Sequence, residues 1–150
     1  MVEPFRTILC PVDLSTNAHV ALEYAASMAR QCDATVHLLY IIPPTDAQIP
    51  AELYRPDKSG GADFIWAETA AKEKLHALAQ EHLSGGIRYE VHTRVGDTAT
   101  VVLEVAEARE ASVIVMATHG RTGLSHLLLG SVTEKVMRES LCPMLVIPGR

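Results

Sequence analysis

Residues 112–131 read Ser112-Val-Ile-Val-Met-Ala-Thr118-His-Gly120-Arg-Thr-Gly123-Leu-Ser-His-Leu-Leu-Leu-Gly130-Ser131, and they decide the architecture. The run from Ser112 to Thr118 is apolar between its two polar ends. It is too short for a helix and shows no polar alternation, which is the pattern of a strand buried on both faces. A glycine-bearing loop follows, and a helix is predicted from Ser131 to about Ser140. A buried strand that feeds a helix through such a loop is part of a βαβ unit, the building block of a parallel sheet.

The same alternation extends in both directions. Thr7–Val12 reads as a first buried strand and Asn17–Gln31 as a helix, with Ser15 or Thr16 as its cap. Thr35–Ile42 is a second strand, stopped by Pro43 and Pro44. The stretch from Thr45 to about Ala62 holds Pro50, Pro56, Gly60 and Gly61 and reads as a long surface loop. Asp63–His82 has helical spacing, with Ala67, Ala70, Ala71, Leu75, Leu78 and Ala79 as a core stripe. Arg88–Val95 alternates polar and apolar residues, as an edge strand does. A helix through about Arg109 follows Gly96–Asp97, and Met144–Ile147 is the last strand. Residues 1–150 are read as one α/β domain: a doubly wound, five-stranded parallel sheet of order 3-2-1-4-5 with helices on both faces. Ligands of such sheets sit beyond the carboxyl ends of the strands, where the strand order reverses. That rule points to Pro11–Leu14 and Ala117–Ser131.

Composition narrows the function. Net charge is −5 and no dense Lys/Arg stripe exists, which argues against a nucleic-acid partner, because phosphate contacts dominate that affinity. No apolar run reaches membrane-spanning length and no leader precedes the first strand, so a cytoplasmic protein without a membrane partner is expected. Cys10, Cys32 and Cys142 match neither a disulfide framework nor a zinc pattern, and read as buried free thiols. The histidines show no metal-ligand spacing.

Gly120 and Gly123 permit close backbone approach to a ligand, and Gly130 is expected to hold a backbone angle closed to other residues. Gly130–Ser131 precedes a helix, whose first N–H groups and partial positive charge suit a phosphate. Ser131 adds a hydroxyl. The spacing Ser131-Val-Thr-Glu134 is also that of a capping box. His119 and Arg121 flank Gly120, the former read as a solvated loop residue, the latter as a possible phosphate clamp.

On these residues the chain resembles the universal stress protein family over nearly its whole length. The ATP-binding members of that family carry G-x-x-G, nine residues, then G-S/T. Here Ala117-x-x-Gly120 is followed by Arg121–Leu129 and then Gly130-Ser131, with Ala117 in place of the first glycine. Ser131-Val-Thr-Glu-Lys-Val and Cys142-Pro-Met-Leu-Val-Ile-Pro strengthen the likeness. The resemblance implies an adenine-nucleotide site for ATP, or ADP or AMP, with Mg2+ carried by the phosphates. It implies that Pro11, Val12 and Asp13 lie beside the nucleotide, with Asp13 on the ribose or adenine side. It further implies that the Ile41 backbone reads the adenine edge, that Met116 lines the pocket, and that Val132 and Thr133 join the phosphate contacts. It also implies a homodimer through Met144, Leu145, Val146 and Ile147, the short apolar edge strand.

A regulatory or sensing module of the stress response is the expected role. The alternative is a weak ATPase or nucleotidyl-transfer enzyme, for which Asp13 and His119 are the visible candidates. A phosphorylated receiver domain would need an acidic cluster where Asp13 stands alone. Neither G-x-x-x-x-G-K-[ST] nor G-x-G-x-x-G after the first strand is present.

Overall fold

A computed structural model describes residues 2–14, 16–118 and 129–148. The strands are β1 (Thr7–Pro11), β2 (Thr35–Ile42), β3 (Arg88–Val95), β4 (Val113–Ala117) and β5 (Met144–Ile147). The helices are α1 (Thr16–Cys32), α2 (Phe64–His82), α3 (Thr98–Ala108) and α4 (Ser131–Glu139). The strands form one parallel sheet in the order β3-β2-β1-β4-β5, the order expected from the sequence.

Two cores flank the sheet. On one face α1 and α2 cover Ile8, Cys10, Val36, Leu38, Val113 and Val115. On the other, α3 and α4 cover Leu9, Leu39, Ile41, Ile114 and Met116. Adjacent strand residues thus enter opposite cores, which is why β1, β2 and β4 carry unbroken apolar runs. Alanine dominates the inner face of α1 at positions 18, 21, 25, 26 and 29, so that helix lies close on the sheet. In α2 the buried residues Ala67, Ala71, Leu75 and Ala79 recur every fourth position, while Ala70 and Leu78 are only partly buried at its flanks. Asp63 caps α2 by accepting the Trp66 N–H at 2.9 Å, and Asp97 caps α3 by accepting that of Thr100 at 3.1 Å.

The segment between β2 and α2 corrects its reading as a plain surface loop. It contains two short 3-10 turns, Asp46–Gln48 and Ala51–Leu53. Ile49, Leu53 and Ala62 are buried in the α1/α2 core. The Asp46 carboxylate accepts the Ala62 N–H, and Asp57 Oδ1 accepts the N–H groups of Ser59 and Gly61. The prolines and glycines set turns, and the turns carry three apolar anchors inward. The cysteines also differ from expectation: Cys10 is buried and its thiol is pushed up to about 12 by desolvation, but Cys32 and Cys142 are half-buried.

Thr93 on β3 is buried, and its hydroxyl has no hydrogen-bond partner among the described residues. An unpaired buried hydroxyl costs free energy that a methyl group does not. Thr93→Val is therefore expected to stabilise the fold by about 1 kcal/mol in urea denaturation. A loss of stability would show that the hydroxyl is paired in solution.

Candidate functional site

The carboxyl ends of the strands do not stay together. The β1–β2 ladder runs to Pro11↔Leu39 and the β4–β5 ladder to Ala117↔Ile147, whereas the β1–β4 ladder ends at Leu9↔Ile114. The two central strands therefore part over their last residues, at the point where the strand order reverses. Pro11 lacks the N–H that would extend the pairing.

The base of this crevice is set by backbone. Val12 N–H donates to the Leu39 carbonyl at 2.9 Å, closing the β1–β2 ladder. In a parallel ladder alternate residues present both backbone groups to the same neighbour. The Ile41 N–H and carbonyl face the same side as those of Leu39 and lie past the ladder's end. The Ile41 side chain is buried against the α3/α4 core. Val12 is buried, Pro11 and Asp13 are half-buried, and Leu14 turns the chain with φ 65°, in the left-handed region that a leucine rarely occupies. Backbone strain of that kind clusters at functional sites, although Asp33 and Glu110, just past the ends of α1 and α3, also have positive φ.

The opposite wall is the start of α4. Gly130 is its N-cap and Ser131 its first residue. The first helical bond runs from Glu134 N–H to the Gly130 carbonyl at 2.9 Å, so the ladder gives the amides of Ser131, Val132 and Thr133 no partner. Two contacts hold this helix end on β4: Gly130 N–H donates to the Thr118 carbonyl at 3.3 Å, and Thr133 Oγ1 donates to the Ala117 carbonyl at 3.3 Å. Thr133 is buried, Val132 is half-buried against the α3/α4 core, and Ser131 is exposed. Met116 is buried and Ala117 half-buried at the end of β4.

Two expectations are corrected here. Gly130 has φ −59° and ψ 151°, an extended conformation open to any residue. Its requirement is spatial, because a Cβ there would lie 2.7 Å from the Thr118 carbonyl oxygen. The capping box is not formed either. Ser131 is one position too late to cap, its N-cap Gly130 has no side chain to do so, and Glu134 pairs with Arg138 instead. The readings of His119, Gly120, Arg121 and Gly123 fall outside the described residues, as does that of Ser15.

The sequence reading missed other groups. Thr118 is an anchor rather than a strand end alone: it receives Gly130 and donates its N–H to the Ile147 carbonyl at 2.9 Å. Lys135 lies 3.6 Å from the Asp97 carboxylate and ties α4 to the cap of α3. Hydrogen bonds from Thr100, with Lys135 adding to them, hold Asp97 below the usual carboxylate range. Away from the crevice, His37 Nδ1 and His92 Nε2 meet at 2.9 Å, and His82 Nε2 and His19 Nδ1 at 3.0 Å. The absence of ligand spacing in the sequence did not anticipate these pairs, because each joins positions distant along the chain.

Comparison with known proteins gives a consistent picture. The chain matches the universal stress protein family over residues 4–148. It is 31% identical over 147 residues to universal stress protein MJ0531 of Methanocaldococcus jannaschii, covering 95% of this chain and 82% of that protein. The solved structure of protein MJ0577, from the same organism, superposes with a TM-score of 0.77 at 28% identity, covering 99% of each chain. A universal stress protein from Archaeoglobus fulgidus in complex with dAMP shares the fold, with a TM-score of 0.62 at 20% identity over 98% of this chain and 99% of that one.

The Thr118 carbonyl gives a direct test of the α4 anchor. Gly130→Ala is expected to cost about 1–3 kcal/mol in urea denaturation, the range for forcing an extra group into a packed site. Unchanged stability would mean that α4 does not begin against β4 as described.

Proposed function

The chain belongs to the universal stress protein family, and from that premise we propose that it binds an adenine nucleotide, ATP or its ADP and AMP relatives, in the crevice between β1 and β4. Nucleotide occupancy would set the conformation or partners of a regulatory module. The observation that carries this reading is the start of α4 at the reversal point of the sheet, where three successive amides precede the first closed turn.

The donor set fits such a ligand. The Ser131, Val132 and Thr133 amides and the Ser131 hydroxyl suit phosphate oxygens, helped by the positive end of the helix. The Ile41 N–H and carbonyl, past the end of the ladder, offer one donor and one acceptor to the adenine edge. The Asp13 carboxylate can accept from ribose hydroxyls, with Pro11, Val12 and Met116 framing the base side and Ala117 at the start of the loop. Gly120, Arg121 and Gly123 complete the phosphate side in this proposal. When bound, the nucleotide supplies a polyphosphate charge, and Mg2+ would be held by phosphates and water rather than by a protein cage. The dAMP complex of a protein sharing the fold supports the choice of an adenine base. Among the described residues no helix is long and apolar enough to cross a membrane.

The same reading includes a homodimer through β5. Met144, Leu145 and Val146 are half-buried on a strand that, among the described residues, pairs only with β4. The Pro143 and Ile147 carbonyls face β4, so by alternation the backbone groups of Met144 and Val146 face outward. Leu141, 99% exposed, and the half-exposed Met137 lie in the segment that leads into this strand. Pairing with a second copy about a two-fold axis would satisfy the outward groups in an antiparallel ladder.

Calorimetry with Mg2+ present tests the nucleotide. ATP is expected to bind about tenfold or more tightly than GTP, since guanine presents the wrong donor and acceptor to Ile41 and a mismatched buried group costs about 1–3 kcal/mol. Equal affinities, or none, would reject the proposal. Light scattering tests the assembly: the wild type is expected at dimer mass, and Val146→Pro, which removes an outward N–H while sparing the β4 ladder, at monomer mass. A monomeric wild type at micromolar concentration would refute it.

A further inference from the structure

We propose that His37, Glu90 and His92 form a binding site for a late first-row divalent cation of the Zn2+ class, on the α3 face of the sheet and separate from the nucleotide crevice. The register of β2 and β3 creates the cluster, pairing His37 with Glu90 and Leu39 with His92. Residues 37 and 39 on β2 and 90 and 92 on β3 then share one face.

Distances favour a metal. His37 Nδ1 and His92 Nε2 are 2.9 Å apart, and each lies 3.7 Å from Glu90 Oε2. Ligand atoms around tetrahedral zinc, at about 2.0–2.2 Å from the ion, are separated by about 3.3–3.5 Å. One side of the observed triangle is about half an ångström shorter than that value and two are a few tenths longer, so a small separation of the two nitrogens with a turn of both rings would complete it. The donors also suit the ion, because imidazole is a ligand of choice for Zn2+, Cu2+ and Ni2+. Two histidines and a carboxylate leave a fourth position for water.

The present arrangement shows what binding would change. The two rings are nearly coplanar, at 12°, with centroids 5.2 Å apart. That separation exceeds the N···N distance by about the two ring radii, so the nitrogens face one another across a hydrogen bond in which one ring donates its proton. A cation displaces that proton to a ring nitrogen pointing away, keeping the imidazole neutral, and turns both lone pairs toward the Glu90 carboxylate. Both rings are buried, whereas the Glu90 side chain is 54% exposed and gives a path from solvent. Arg109, at the end of α3, lies 3.9 Å from the same carboxylate and is 40% exposed, free to yield it. A bound ion would cross-link β2 to the edge strand β3.

The other histidine cluster, His19, Glu81 and His82, serves as the internal control. Its rings meet edge to face at 88°, and it is more exposed. The test uses the full, untagged chain after chelator treatment, titrated with Zn2+ by calorimetry and followed by thermal unfolding. One Zn2+ per chain is expected at the site, with a raised melting temperature. Glu90→Gln is expected to weaken binding at least as much as loss of a supporting partner does, about 10–100-fold. His92→Gln is expected to abolish it, and His82→Gln to leave it unchanged. Co2+ in place of Zn2+ should give four-coordinate absorption bands that Glu90→Gln removes. If His92→Gln fails to fold, Glu90→Gln decides, since its half-exposed side chain leaves the core intact. Excess Mg2+ should not displace the ion, which distinguishes this site from any cation carried by nucleotide. Absence of Zn2+ binding, or binding that Glu90→Gln leaves unaltered, would overturn the proposal.

Discussion

The constraint on which the rest of this molecule depends is the parting of β1 and β4. A parallel sheet that adds strands first to one side and then to the other must open where the direction changes, because the two connections leave toward opposite faces. Here the opening is sharpened by Pro11, which ends the capacity of β1 to donate, and the ladder stops at Leu9↔Ile114. The outer ladders continue further, to Pro11↔Leu39 and Ala117↔Ile147. Backbone polar groups are thereby left at the mouth of a crevice whose floor is otherwise apolar. Such groups must find partners in water or ligand.

Small groups then decide how closely α4 can approach that mouth. Gly130 lets its own N–H reach the Thr118 carbonyl, and Thr133 reaches back to Ala117. The two contacts place the helix end beside the strand that precedes the loop, so the loop is short-circuited by direct bonds between its flanks. Lys135 with Asp97 adds a tie to α3 on the same face. Belonging to the universal stress protein family gives this arrangement a context, but the local reason for each residue is steric or hydrogen-bonded and can be stated without it.

The two sheet edges are managed in opposite ways. β3 carries Arg88, Glu90 and Arg94 among its exposed positions, and charges of that kind discourage pairing with another sheet. Its buried His92 meets His37 on the α3 face of the sheet. β5 has no charge and is flanked by Pro143 and Pro148, which limit its length without masking its outward groups. One edge is thus charged and the other, among the described residues, is short and uncharged.

Much of this was legible in the amino-acid order. Residue periodicity determined the five strands and four helices, with β2, β3 and β5 read to the residue and the other boundaries differing by a position or two. The strand order followed from connection rules, and with it the expectation of a crevice at Pro11–Leu14 and Ala117–Ser131, where β1 and β4 part among the described residues. These are short-range properties, set by a period of two or 3.6 and by the few residues that break it. What only the tertiary structure decided depends on which distant residues are brought into register. The meeting of His37 and His92, the burial of Ile49 and Leu53 inside a proline-rich segment, and the use of Gly130 for room rather than for backbone angle all arise that way. No local pattern encodes a ladder that aligns position 37 with position 90, or a carbonyl that stands 2.7 Å from where a side chain would be.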